Sequence, residues 1–237
     1  MSIRIEIDGT TVTTEEGKTL VDAAADAGIY IPTLCYLREH PALGTCRVCS
    51  VKVNGRITAA CAVKVTDGMR VEVSDAETTP ARKALVEMLF SEGTHNCPSC
   101  EKAGRCTLQA VGYEVDMVVS PFSYQFPERV ADHASERIWL ERDRCIFCQR
   151  CVEFVRDRET GKKIFSISGR GTHARIEIDA ELADKMPPEQ VREAVDICPV
   201  GTILEKGVGY DKPIGERRYE VESVRDRALE SARRDAT

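Results

Sequence analysis

Eleven cysteines in 237 residues fall into three spaced groups: Cys35, Cys46, Cys49 and Cys61; then Cys97, Cys100 and Cys106; then Cys145, Cys148, Cys151 and Cys198. Together they use the whole cysteine content, so no thiol is left for nucleophilic catalysis or a disulfide. Clustered thiolates select soft or borderline metals. A structural zinc site takes four ligands around one small ion, typically as two Cys pairs with a spacer. The third group differs: Cys145-Ile-Phe-Cys148-Gln-Arg-Cys151 sets three thiolates at i, i+3 and i+6, which suits three corners of a cubic cluster, and the remote Cys198-Pro199 closes the fourth. A second cluster would need a cysteine where Val155 stands and others where Pro188, Val191 and Ala194 stand. The spacing therefore predicts one [4Fe–4S] centre in this region.

The first group, Cys35-x10-Cys46-x2-Cys49-x11-Cys61, has a longer opening loop than plant-type ferredoxins. Gly44 and the small Thr45 and Ser50 would let backbone N–H groups turn toward sulfur, as a [2Fe–2S] rhomb requires. Alone, this group also fits a zinc ribbon; beside the third group, iron is the better reading. In the middle group three thiolates leave one iron of a cubane open, and His95, two residues before Cys97, is the candidate fourth ligand. The competing reading is a solvated loop histidine. A neutral imidazole in place of a thiolate makes a cluster one unit less negative and, on charge alone, easier to reduce. His40, His133 and His173 lie beside no comparable gap and read as surface or turn residues.

These ligands need positioning elements. Ile3-Ile5-Ile7 turning at Asp8-Gly9 toward Val12, and Val51-Lys-Val53 turning at Asn54-Gly55 into Ile57, predict two hairpins. Between them Thr19 to Ala27 predicts a helix with Thr19 as N-cap and Gly28 at its end. A second helix, with Thr79 as cap and Pro80 at its first position, runs to Gly93 and delivers the chain to His95. Thr107 to Val111 starts a short helix, and the segment with Pro121 and Pro127 reads as an ordered linker. Beyond it, Ile138-Trp139-Leu140 opens the third region, a helix follows Cys151 to about Arg158, and Lys163 to Ser168 and Arg175 to Ile178 alternate as strands. Pro187-Pro188 begins a helix leading into Cys198. From Glu216 onward 12 of 22 residues are charged with mixed sign, which reads as a solvated helix or frayed tail.

The formal net charge of -6 argues against nucleic-acid and anionic-membrane partners, which would need a basic stripe. The N-terminus alternates as a strand does, no signal peptide is read in it, and no apolar run approaches bilayer length, so the expectation is a cytoplasmic protein. In that reducing compartment clustered cysteines hold metal or do redox work. There is no GxGxxG after a strand and no P-loop, so neither FMN nor NAD is expected to bind this chain.

The ordered series of Cys-x10-Cys-x2-Cys-x11-Cys, one histidine with three cysteines, and Cys-x2-Cys-x2-Cys with a distant Cys198-Pro-Val-Gly resembles the N-terminal part of the large iron–sulfur subunit of respiratory complex I. With Gly44-Thr-Cys46-Arg-Val-Cys49, His95-Asn-Cys97-Pro-Ser-Cys100-Glu-Lys and Trp139-Leu-Glu-Arg-Asp-Arg-Cys145-Ile-Phe-Cys148, the chain is similar to the small (gamma) diaphorase subunits of soluble NAD-reducing [NiFe] hydrogenases. In complex I and [FeFe] hydrogenases the ligating histidine lies four residues before the first cysteine, where Gly93 stands here. The resemblance implies an α+β chain. Its expected parts are a β-grasp-like [2Fe–2S] domain at 1–78, a helical [4Fe–4S] segment with one His and three Cys ligands at 79–117, a linker at 118–136, and a ferredoxin-like [4Fe–4S] domain at 137–237 with a charged tail. It implies a non-catalytic electron-transfer subunit carrying one [2Fe–2S] and two [4Fe–4S] clusters. Its expected partners in a hetero-oligomer are an FMN/NAD-binding diaphorase subunit and the small and large [NiFe] hydrogenase subunits. Alternatives are the equivalent subunit of an NAD-dependent formate dehydrogenase or complex I-like enzyme, a freestanding ferredoxin-like carrier, and a zinc-binding interaction module.

Overall fold

A computed structural model describes residues 1–234 and forms two compact units. The first takes in Met1–Met88, Ala110–Val119 and the chain from Glu222; the second takes in Leu89–Gln109 and Ser120–Val221.

In the first unit β1 (Ser2–Ile7) and β2 (Thr10–Glu15) form a hairpin, as do β3 (Ser50–Val53) and β4 (Arg56–Ala59). Both turns use two residues at positive φ: Asp8 (47°) with Gly9 (78°), and Asn54 (49°) with Gly55 (79°). Such turns match the twist of the strands they join. Joining the hairpins is β5 (Arg70–Glu72), parallel to β1 and antiparallel to β3, in the sheet order β2-β1-β5-β3-β4. This central strand escapes a pattern reading because three residues are too few to show alternation.

Helix α1 (Leu20–Asp26) starts where expected: the Thr19 hydroxyl accepts from the Asp22 N–H, and Gly28 follows at φ 78°. It buries Leu20, Val21, Ala23 and Ala24 in a core with Ile3, Ile5, Ile7, Val51, Val65 and Val71. Cys49 and Cys61 belong to that core. Helix α2 (Thr78–Glu92) begins one residue before its expected cap, since the Asp75 carboxylate accepts from the N–H groups of Glu77 and Thr78 and leaves Thr79 inside the helix.

Helix α3 (Thr107–Glu114) runs past the expected Val111. In the second unit β6 (Ile138–Leu140) precedes the cysteine run and α4 (Arg150–Phe154) follows it. The expected helix to Arg158 stops early: Val155 is extended, and Arg156 bridges to Lys163 instead. Strands β7 (Phe165–Ser168) and β8 (Arg175–Ile178) pair antiparallel. Two short helices follow, α5 (Ala180–Lys185), capped by Asp179, and α6 (Pro188–Ile197), begun by its proline; β9 (Ile203–Glu205) then pairs with β6. Ile138, Leu140, Ile164, Phe165, Ile176, Val191 and Val195 are buried in this unit. The charged tail forms α7 (Arg218–Val221) in the second unit and α8 (Val224–Arg234) in the first. Helix α8 is not a free tail: it packs against α1, and Ala232 is buried. Among the described residues no helix is long and apolar enough to cross a membrane.

Candidate iron–sulfur centres

Cys35 and Cys46 stand on the long loop after α1, Cys49 directly before β3, and Cys61 just after β4. The fold brings all four together. Contacts from the Cys46 and Cys61 thiols draw Cys35 far below the ordinary thiol range, the same contacts push Cys46 and Cys61 up, and Cys61 draws Cys49 down. Backbone N–H groups of Cys46 and Val48 point at the sulfurs of Cys35 and Cys46, and the Thr45 hydroxyl also faces Cys35. Gly44 (φ 65°) and Arg47 (φ 58°) both adopt the left-handed region that lets this loop turn inward. Arg47 is a strained choice at such a position. Arg82 of α2 supports the loop from behind. Its guanidinium donates to the carbonyls of Val48 (3.1 Å), Ser50 (3.0 Å) and Val73 (3.3 Å).

In the second unit Cys145, Cys148, Cys151 and Cys198 line one cavity, whose remaining wall includes Ile176, Val200 and Ile203. Phe147 (φ 50°) and Gln149 (φ 66°) are left-handed between the cysteines, and the Phe147 N–H donates to the Cys145 sulfur at 3.4 Å. Cys198 arrives as the C-cap of α6. Burial pushes the Cys145 thiol up to about 12 and raises Cys148 and Cys151 as well. Four thiolates in so apolar a cavity require a cationic group among them. The donor set suits a thiolate-held iron–sulfur core, and the left-handed residues turn the chain around it.

The middle group follows α2. Pro98 opens a single 3₁₀ turn, Cys97–Ser99, after which Cys100 closes back on Cys97 (N–H···O 3.2 Å). Cys106 precedes α3, and its sulfur accepts from the Gln109 N–H at 3.4 Å. Burial, with a smaller contribution from Cys100 and Cys97, pushes it up to about 12. Nε2 of His95 is buried and has no hydrogen-bond partner among the described residues, while the ring also hydrogen-bonds at the Leu89 backbone. Desolvation, aided by Arg144, lowers this histidine to about 4, so the ring is neutral at neutral pH. A neutral imidazole bound to a backbone carbonyl through one nitrogen, with the other bare, is the form in which histidine ligates metal.

The middle and C-terminal groups share a wall. The Pro199 carbonyl accepts from the Thr107 N–H (2.8 Å) and from the Cys106 thiol (3.5 Å), and a Cβ added to Gly201 would meet the Cys100 sulfur at 2.9 Å. The Cys198-Pro-Val-Gly201 segment thus serves one group by its cysteine and touches the other by its backbone. Lys102 is buried at the same place, with its ammonium donating to the Val195 carbonyl at 2.6 Å. Neither Arg82 nor Lys102 carries a signal in the sequence, because each sits in an ordinary polar stretch and acts only through what the fold packs around it.

Comparison with known proteins gives three family matches in chain order: a 2Fe-2S iron-sulfur cluster binding domain over residues 1–76, the NADH-ubiquinone oxidoreductase-G iron-sulfur binding region over 82–120, and the ferredoxin-like domain of NADH-quinone oxidoreductase subunit 3 over 135–204. The NAD-reducing hydrogenase HoxS subunit gamma of Cupriavidus necator is 74% identical over 230 residues, covering 97% of this chain and 98% of that one. The chain belongs to the gamma subunits of NAD-reducing hydrogenases. As a member of that family it is an electron-transfer component of an oxidoreductase complex, with one [2Fe–2S] and two [4Fe–4S]-type domains. A solved chain described as NAD+-reducing [NiFe]-hydrogenase in the H2-reduced state superposes with a TM-score of 0.87 at 36% identity, covering 98% of this chain and 99% of that one. The mitochondrial NADH-ubiquinone oxidoreductase 78 kDa subunit of Candida albicans is 30% identical over 233 residues, 94% of this chain but 31% of that subunit's length.

Proposed function

We propose that this gamma subunit relays electrons between a hydrogen-oxidising [NiFe] module and an FMN-containing, NAD-reducing diaphorase subunit, within a cytoplasmic hetero-oligomer. Cys35, Cys46, Cys49 and Cys61 would hold the [2Fe–2S] cluster in a β-grasp-like domain over 1–78. His95, Cys97, Cys100 and Cys106 would hold one [4Fe–4S] cluster in 79–117, and Cys145, Cys148, Cys151 and Cys198 the other in 137–237, across a linker at 118–136. The clusters would supply one-electron acceptors at low potential. The chain's own residues hold them, keep water out and set their charge environment. Burial of Cys49, Cys61, Cys106, Cys148, Cys151 and Cys198 serves the exclusion of water, and the N–H groups aimed at Cys35, Cys46, Cys106 and Cys145 favour added negative charge.

The observation that carries this reading is the cavity lined by all four C-terminal cysteines, reached by left-handed residues on one side and a helix end on the other. Structural zinc typically takes two spaced Cys pairs, whereas here three cysteines at i, i+3 and i+6 share the cavity with one remote cysteine, the spacing of a cubane. Anaerobic purification of the complex, identification of its subunits, and NAD reduction assayed with hydrogen and with formate test the proposal. Hydrogen-dependent NADH formation is expected. Activity with formate alone would transfer the subunit to a formate dehydrogenase, and zinc without labile sulfide would refute the relay.

A further inference from the structure

Lys102 is 1% exposed, among the largest fully buried side chains of the molecule. Its ammonium has one close acceptor, the Val195 carbonyl at 2.6 Å. The nearest carboxylate oxygen, on Asp196, lies 3.9 Å away on a side chain that is 47% exposed, and it also faces Arg105 (4.0 Å) and Arg218 (3.3 Å). One half-exposed carboxylate among three cations does not neutralise a buried ammonium, whose desolvation costs several kcal/mol. An ammonium so placed needs other negative charge close by.

That charge is available on both sides. The Lys102 Cβ and the Cys100 sulfur both press on Gly201, at 3.3 Å and 2.9 Å from where its Cβ would stand. Val195, which receives the ammonium, lies one turn of α6 before Cys198, and Lys102 acts electrostatically on Cys106 as well. The side chain therefore stands between the middle and the C-terminal cysteine groups. We propose that Lys102 is a shared counter-cation of the two [4Fe–4S] centres, raising the reduction potential of both together. This rests on the ligand assignment above. Adding an electron makes each centre more negative, so a fixed cation buried between them favours the reduced form through a low-dielectric path. Because one ammonium serves both, their potentials rise in concert and the gap between them is little changed, which suits two neighbouring carriers on one route.

The test is EPR-monitored redox titration of the whole hydrogenase complex carrying Lys102→Gln. Both [4Fe–4S] midpoints should fall, by about tenfold in each reduction equilibrium or about 59 mV for one electron, while the [2Fe–2S] midpoint stays. Lys102→Arg should restore both, which a purely structural lysine would not require. Iron and sulfide counts on the unsubstituted complex judge the ligand assignment separately: about ten irons per chain supports it, and a shortfall of a whole cluster rejects it. Should Lys102→Gln lose iron, Asp196→Asn gives the complementary measurement, since removing the carboxylate beside the ammonium should raise both midpoints. Full iron with unmoved midpoints, or a shift of one centre alone, overturns the shared counter-cation.

Discussion

The imidazole of His95 occupies the space that a side chain on Gly93 would need. A Cβ built on Gly93 would stand 2.5 Å from Nε2 of His95 and 2.9 Å from the Asp143 carbonyl oxygen, closer than side chains approach. The resemblance to complex I places the ligating histidine at position 93. Here glycine empties that position, and the ring reaches back from two residues downstream to put its bare nitrogen there. Gly93→Ala should therefore displace the ring and destabilise the fold by about 1–3 kcal/mol, the usual cost of overpacking. His95→Ala should cost the middle centre its iron or convert its EPR signal, and His95→Cys should retain the iron with a lowered midpoint. Native spectra in His95→Ala would end the case for ligation.

Gly201 is the second close approach. Its Cβ would meet the Cys100 sulfur at 2.9 Å, and the Lys102 Cβ and the Arg144 guanidinium at 3.3 Å; the guanidinium, at the end of a flexible side chain, can move, so the strain falls chiefly on Cys100. Gly201→Ala should push on Cys100 and broaden or shift the EPR signal of the middle centre, even though residue 201 lies next to the C-terminal group in sequence. A change confined to the C-terminal centre would contradict the shared wall.

What the sequence showed and what it hid divide along physical lines. Asp8-Gly9, Asn54-Gly55 and the Thr19 cap were legible because their conformations are decided by the residues themselves. The cysteine groups were legible because ligand spacing is chemistry written in one dimension. Strand β5 was hidden because its pairing with β1 and β3 is decided by partners more than 15 residues away. The packing of α8 on α1 was hidden for a related reason: α8 is highly charged, and its small Ala232 gives little sign of burial. The orphaned, buried Nε2 of His95 separates a ring turned into the protein from a solvated loop histidine, which the spacing alone left open.

Removing one C-terminal cysteine tests whether the groups are independent. Cys198→Ala takes a thiol from the cavity shared with Cys145, Cys148 and Cys151 and leaves the ligands of the other groups in place. Iron should fall from about ten to about six per chain, with one [4Fe–4S] signal lost. Unchanged iron would remove Cys198 from the ligand set.

Arg82 separates stability from electron chemistry in the first unit. Its guanidinium gathers three carbonyls, two of them from residues flanking Cys49, and two of the three bonds are fully buried. Arg82→Met strands those two buried acceptors at about 1–3 kcal/mol each, so unfolding of this unit should become easier by about 2–6 kcal/mol, read by denaturant titration. It also removes a cation from beside the Cys49 thiolate, which should lower the [2Fe–2S] midpoint. Arg82→Lys keeps the charge but cannot reproduce a fork that reaches three carbonyls. It should therefore lose much of the stability while holding the midpoint near its original value. A midpoint that followed stability in both variants would show that Arg82 acts on the cluster only by keeping its loop in place.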